Sequence, residues 1–104
     1  MTHGQQELVT ILREAQALLN QPENEYGWSS WENNEQAVAE IERYVGEVSQ
    51  GDYCSTLQMQ VIFAATGPMQ EVSLSSGWAQ QFLDLAARFD KALAKVTKPW
   101  WRFW

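Results

Sequence analysis

The chain has 104 residues, of which 45% are hydrophobic and 19% are charged, so it can bury a core as one domain and lacks the composition of a disordered protein. Its net charge of −6 argues against general nucleic-acid binding, which needs a concentrated basic surface. A single cysteine, Cys54, excludes an internal disulfide, and the first residues lack the pattern of a secretory signal, so a cytoplasmic location is expected.

Two helices are predicted in the first half of the chain. Across residues 5–20, apolar side chains recur at helical spacing, and Pro22 disfavours helical geometry in the residue before it, so the first helix should end near residue 20. Ser29 and Glu32 are spaced as in a capping box, which predicts a second helix from there to about Gln50.

Residues 55–65 allow two interpretations, because their apolar side chains alternate in a partly strand-like way. As a helix, the segment would end at Gly67 in the left-handed conformation, with Pro68 just beyond. As a strand, it would turn at these two residues and form a hairpin around residues 57–75. The helix is favoured, because Gly followed by Pro is common where helices end.

The longest apolar stripe runs from Trp78 to Val96 and predicts the last helix, with Ser75 or Ser76 as its cap. The expected fold is therefore all-α, a small bundle of about four helices. An α+β fold with the hairpin is the alternative. Residues 1–97 would form a single helical domain, and residues 98–104 would form an aromatic and basic C-terminal tail.

Residues that carry chemistry are sparse. His3 is the only histidine, so neither a Cys/His zinc site nor a Ser–His–Asp triad can be assembled, and no glycine-rich phosphate loop is present. Glu32, Glu71 and Asp84 could act in acid–base chemistry only if a cleft brought two of them together. Cys54 has no flanking cation to stabilise a thiolate and is expected to be inert and partly buried. We therefore expect no enzymatic activity, cofactor or metal.

The six tryptophans are the most unusual feature of the composition. Trp31 and Trp78 each open a predicted helix at a core position, which favours a packing role. Trp28 lies in a predicted loop. A shallow groove lined by Tyr26, Trp28 and Trp78 could alternatively bind a peptide or the face of a sugar.

The C-terminal tail combines cations with large rings. Five of the seven basic residues lie from Arg88 onward, where Asp90 is the only acidic residue. The tail has three interpretations: it folds back over the helices, it binds a protein partner, or it anchors the chain weakly to a membrane surface. Its candidate binding residues are Trp100, Trp101, Arg102, Phe103 and Trp104.

Four segments, residues 28–31, 63–72, 76–78 and 83–90, resemble a group of small uncharacterised bacterial proteins and, more loosely, helical domains among bacterial immunity proteins. The resemblance covers roughly residues 8–93. It implies a compact, mainly helical bacterial domain and leaves its chemistry open. Within the loop Thr66 to Glu71, Gln70 and Glu71 are candidates to cap neighbouring backbone groups or to face a ligand.

The leading hypothesis is a cytoplasmic binding or inhibitory protein, immunity-like in mode, that docks an acidic surface with aromatic anchors onto a larger protein partner. The alternative is a peripheral membrane adaptor held by the C-terminal tail. No nucleic-acid partner is expected. The candidate binding residues outside the tail are Tyr26, Trp28, Gln70, Glu71 and Trp78.

Overall fold

The computed structural model describes residues 1–27 and 29–97, and within these ranges it contains five α-helices and no β-strand. The helices are α1 (His3–Leu19), α2 (Asn34–Ser49), α3 (Thr56–Ile62), α4 (Pro68–Ser76) and α5 (Ala79–Val96). The all-α prediction is confirmed, and the alternative hairpin around residues 57–75 is wrong. The bundle has one more helix than predicted, because the chain on each side of Gly67 forms a short helix.

The central helix is α1, which lies between α2 and α5 and runs antiparallel to both. Thr2 and Gln5 form a capping box at its start, so α1 begins two residues before the predicted start. Its apolar stripe faces both neighbouring helices. The buried apolar residues of α1 are Leu8, Ile11, Leu12, Ala15 and Leu19.

The predicted start of α2 is wrong. Asn33 is the N-cap, and its side chain accepts a hydrogen bond from the backbone N–H of Gln36 at 2.9 Å. Ser29 instead donates its hydroxyl to the Pro68 carbonyl at 3.2 Å, a tertiary contact that spacing along the chain cannot reveal. Trp31 lies before the helix rather than in it, but it is 4% exposed, so its predicted packing role is confirmed.

Gly67 does not end a helix in the left-handed conformation, as was predicted. Its φ of −84° and ψ of 175° are extended, and it is the N-cap of α4, with Pro68 in the first turn. A Cβ at Gly67 would lie 2.0 Å from the Val61 carbonyl oxygen. Glycine is therefore required here because α3 and α4 approach each other too closely for any side chain.

The predicted serine cap of α5 is also wrong, because Ser75 and Ser76 are the last two residues of α4. Gly77 follows with a φ of 85°, a left-handed conformation that glycine adopts at little cost. Trp78 is the N-cap of α5 and is 3% exposed. The chain thus turns directly from α4 into α5.

The core is formed by the facing sides of all five helices. Phe63, which follows α3, stacks on Phe89 of α5 with ring centroids 4.1 Å apart and an interplanar angle of 14°. This pair fastens the short helices to the α1–α2–α5 layer. None of the helices in the described ranges is both long enough and apolar enough to cross a membrane.

Candidate docking surface

An open depression of about 520 Å³ is lined by the loop that joins α1 to α2 and by the first residues of α2. We call it the acidic depression, because three exposed carboxylates line it. These are Glu25, Glu32 and Glu35, and none of them forms an ion pair with a described residue. The other lining residues are Asn24, Tyr26, Gly27, Asn33 and Asn34.

The loop that carries the acidic depression is fixed to three helices. Asn24 donates its side-chain amide to the Leu18 carbonyl of α1 at 2.8 Å and accepts a bond from the Trp78 indole N–H at 2.9 Å. The backbone N–H of Glu25 donates to the Ser76 hydroxyl of α4 at 2.8 Å. Because these bonds link the loop to separate helices, the carboxylates project from an ordered frame.

Tyr26 forms the aromatic part of the acidic depression. Its hydroxyl donates to the Leu19 carbonyl at 2.6 Å, which fixes the ring against the end of α1. Burial raises the pKa of the Tyr26 phenol, and the Glu35 carboxylate adds to the rise. The depression therefore presents a neutral ring beside three negative groups.

Carboxylates elsewhere on the α1 surface are neutralised by partners. Glu14 accepts from Arg88 of α5 at 2.9 Å, and the guanidinium lowers the pKa of this carboxyl. Lys95 donates to Glu7 at 3.0 Å and lowers the pKa of Glu7 in the same way. These two pairs join α1 to α5, so their charges are used within the fold.

The Trp78 ring lies in the core, so its predicted packing role is confirmed, and its indole N–H bonds to Asn24 of the loop. This burial leaves the ring little surface for the alternative groove with Tyr26 and Trp28. Trp28 lies outside the described residues. Gln70 and Glu71 lie in the first turn of α4, partly exposed and not among the residues that line the acidic depression. The candidate residues of the tail, 98–104, lie outside the described residues as well.

The side chains that could take part in acid–base chemistry or metal binding lie apart from one another. Glu32 lines the acidic depression, whereas Asp84 lines a separate depression beside Glu14 and Arg88. No group of three or more His, Cys, Asp or Glu in the described ranges is placed to hold a metal ion.

Cys54 is exposed, which corrects the predicted partial burial. The hydrogen bond to Asp52 raises the pKa of the Cys54 thiol, and the charges of Asp52 and Glu47 act in the same direction. A raised pKa keeps the thiol protonated and therefore a poor nucleophile.

The acidic depression was not identified as a site from the sequence, although a signal for it is present. Between Arg13 and Arg43 there is no Lys, Arg or His, while seven glutamates lie in this interval. Two of them, Glu14 and Glu42, pair with arginines in the fold. Comparisons with protein-family models, curated proteins and solved structures find no match to this chain.

Proposed function

We propose that this chain is a small binding or inhibitory protein of the cytoplasm, immunity-like in mode, that docks its acidic depression onto a basic surface of a larger protein. The observation that carries the proposal is the set of three exposed carboxylates around Tyr26 with no cationic partner among the described residues. Such a field steers a basic protein toward the depression and raises the rate of association.

The frame of the acidic depression supports the same function. The loop accepts a hydrogen bond from the Trp78 indole N–H at Asn24. It also donates from the Tyr26 hydroxyl to α1 and from the Glu25 backbone to α4. A preorganised surface loses little conformational entropy on binding, so more of the contact energy contributes to affinity. Tyr26 would supply the apolar contact at the centre, since tyrosine is among the residue types enriched in binding hot spots.

The proposal includes no catalytic step, cofactor or metal. The carboxylates considered for acid–base chemistry, Glu32 and Asp84, are exposed and line different depressions. General acid–base catalysis needs groups that converge on one reacting atom. The surface fits recognition better than catalysis.

The test is affinity capture of the partner from the native host at low salt with three forms of the chain. One form is the wild type, and the second is the triple variant Glu25→Gln, Glu32→Gln and Glu35→Gln. The third, Asp52→Asn, Asp84→Asn and Asp90→Asn, removes the same charge at other exposed positions. We expect a stoichiometric partner with the wild type and the control variant but not with the depression variant. The absence of any stoichiometric partner with the wild type would refute the proposal.

A second candidate function, a peripheral membrane adaptor, is favoured by the basic side chains of α5. Arg88, Lys91 and Lys95 line one depression of about 470 Å³ with His3 and Glu7, between α1 and α5. Arg88 and Lys95 are paired with carboxylates of α1, whereas Lys91 forms no ion pair with a described residue. The basic tail follows directly after α5 in the sequence. Co-sedimentation with anionic vesicles, comparing the full chain with one ending at Thr97, tests this function, and equal partitioning would exclude it.

A further inference from the structure

Two of the five large apolar side chains that are exposed in the described ranges lie on α3. Leu57 is 69% exposed and Val61 is 52% exposed, and their spacing of four residues places them side by side on the helix. Both line an open groove of about 450 Å³ together with Trp31 and Pro68. We call this the α3 groove. Exposed apolar side chains that adjoin one another in a groove are candidates for an interaction site.

We propose that the α3 groove is covered by the chain's own residues 98–104. This inference goes beyond the proposed function, because the groove and the acidic depression are lined by different residues. The tail would place its tryptophan rings on Leu57 and Val61 and so bury apolar surface on both sides.

The end of α5 lies close to the segment that precedes α3. Lys95 and Val96 line a depression with Tyr53, which is four residues before Leu57. Val61 follows Leu57 by about one helical turn, which is a rise of about 5.4 Å. The seven residues from Lys98 to Trp104 span up to about 25 Å when extended. The rings of the tail are therefore within reach of the groove.

The composition of the tail complements the groove. Four of its seven residues are aromatic, and each ring can bury roughly 150–250 Å². Glu40 is the charged residue among the described residues that line the groove, and the tail carries Lys98 and Arg102.

Cross-linking between engineered cysteines tests the contact directly. Cys54→Ser removes the native thiol, and Trp104→Cys is combined either with Val61→Cys in the groove or with Leu74→Cys as a control. Leu74 is 63% exposed at the end of α4, so its accessibility matches that of Val61. A short bismaleimide should give an intramolecular product with the Val61 pair, in about tenfold higher yield than with the Leu74 pair.

Each other result of the cross-linking test overturns the proposal. Equal yields for the two pairs would show that the tail has no preference for the α3 groove. A product that is dimeric in mass would assign the groove to the tail of a second copy.

Limited proteolysis gives an independent measurement on the full chain. Trypsin can cut after Arg102, whereas Pro99 protects the bond after Lys98. The double variant Leu57→Asp and Val61→Asp should be cut after Arg102 about tenfold faster than the wild type, because the tail opens more often. The matched variant Leu74→Asp and Leu83→Asp changes two other exposed apolar residues and should be cut at the wild-type rate.

Equal cleavage of the wild type and the groove variant would overturn the proposal. Protection of the Arg102 bond that arises only when anionic vesicles are added would also overturn it, because it would place the tail on a membrane surface instead. Circular dichroism of both variants checks that the helices remain folded. We expect this result because all four substituted side chains are exposed.

Discussion

The α1–α5 interface and the acidic depression both carry carboxylates, but the two regions use them differently. At the interface, Glu7 and Glu14 pair with Lys95 and Arg88, and their charges are balanced across two helices. At the acidic depression, three carboxylates face solvent with no cation within ion-pair distance among the described residues. The same residue type therefore contributes to the fold in one region and remains available for a partner in the other.

Local charge balance, rather than net charge, indicates the candidate site. The net charge of −6 is a property of the whole chain, yet the carboxylates that pair across helices contribute little to an external field. The acidic depression brings together three carboxylates that have no ion-pair partner among the described residues. Variants that alter each region separately should have separable effects on stability and on binding.

The largest loss of stability is expected from a substitution at Trp78, which holds the loop of the acidic depression through Asn24. Trp78→Ala removes a buried ring and the indole N–H that bonds to Asn24, so it should lower the free energy of unfolding by about 3–5 kcal/mol. Urea denaturation at pH 7 measures the change. Leu83→Ala, at a residue that is 52% exposed, should change stability by no more than about 0.5 kcal/mol. Equal losses of stability in the two variants would contradict the structural role of Trp78 beneath the acidic depression.

Charge reversal should distinguish the two regions at a smaller scale. Arg88→Glu replaces an attractive pair with two like charges at Glu14 and should lower the free energy of unfolding by about 1 kcal/mol. Adding Glu14→Arg should restore most of the loss. Glu25→Lys, in the acidic depression, should be neutral or slightly stabilising, because it relieves repulsion among the carboxylates. A destabilisation by Glu25→Lys equal to that of Arg88→Glu would remove the distinction between the regions.

Acid should affect the interface through the same pairs. Arg88 lowers the pKa of Glu14 below its ordinary value of 4.5, so this pair contributes stability above pH 4.5 that is lost as the pH falls through the lowered pKa. The melting temperature should therefore fall between pH 5 and pH 3. Glu14→Gln should reduce this fall in melting temperature, because the variant lacks the titrating carboxyl. The change in the free energy of unfolding should be smaller than the loss of about 1 kcal/mol expected for Arg88→Glu at neutral pH. Glu25→Gln serves as the control, and a fall identical in all three proteins would contradict the assignment.

The long helices could be predicted from the sequence because their signals are local. The stripe from Trp78 to Val96 fixes one face of α5, and the stripe within residues 5–20 does the same for α1. The predicted helix boundaries were wrong where a tertiary contact, rather than a local pattern, determines them. Ser29 matches a cap by its spacing, but its hydroxyl is bonded to Pro68. Gly67 is required because a Cβ at this position would clash with the Val61 carbonyl oxygen. No pattern along the chain reveals this close approach.

The sequence predicts docking through an acidic surface with aromatic anchors, but it does not locate the acidic depression. The acidic character and Tyr26 follow from the sequence, whereas the placement of Glu25, Glu32 and Glu35 around one depression depends on how the loop is tied to other helices. Trp78 was grouped with the binding residues because tryptophan suits both a core and an interface. Its 3% exposure assigns it to the core.

The association rate of the captured partner, measured by stopped flow at low and at moderate salt, shows whether the acidic depression is the docking surface. The triple variant Glu25→Gln, Glu32→Gln and Glu35→Gln should associate about tenfold more slowly than the wild type at low salt and lose most of the salt dependence. The control triple variant at Asp52, Asp84 and Asp90 removes the same charge and should stay within about twofold of the wild type. Equal slowing of the two variants would contradict the claim that the acidic depression is the docking surface.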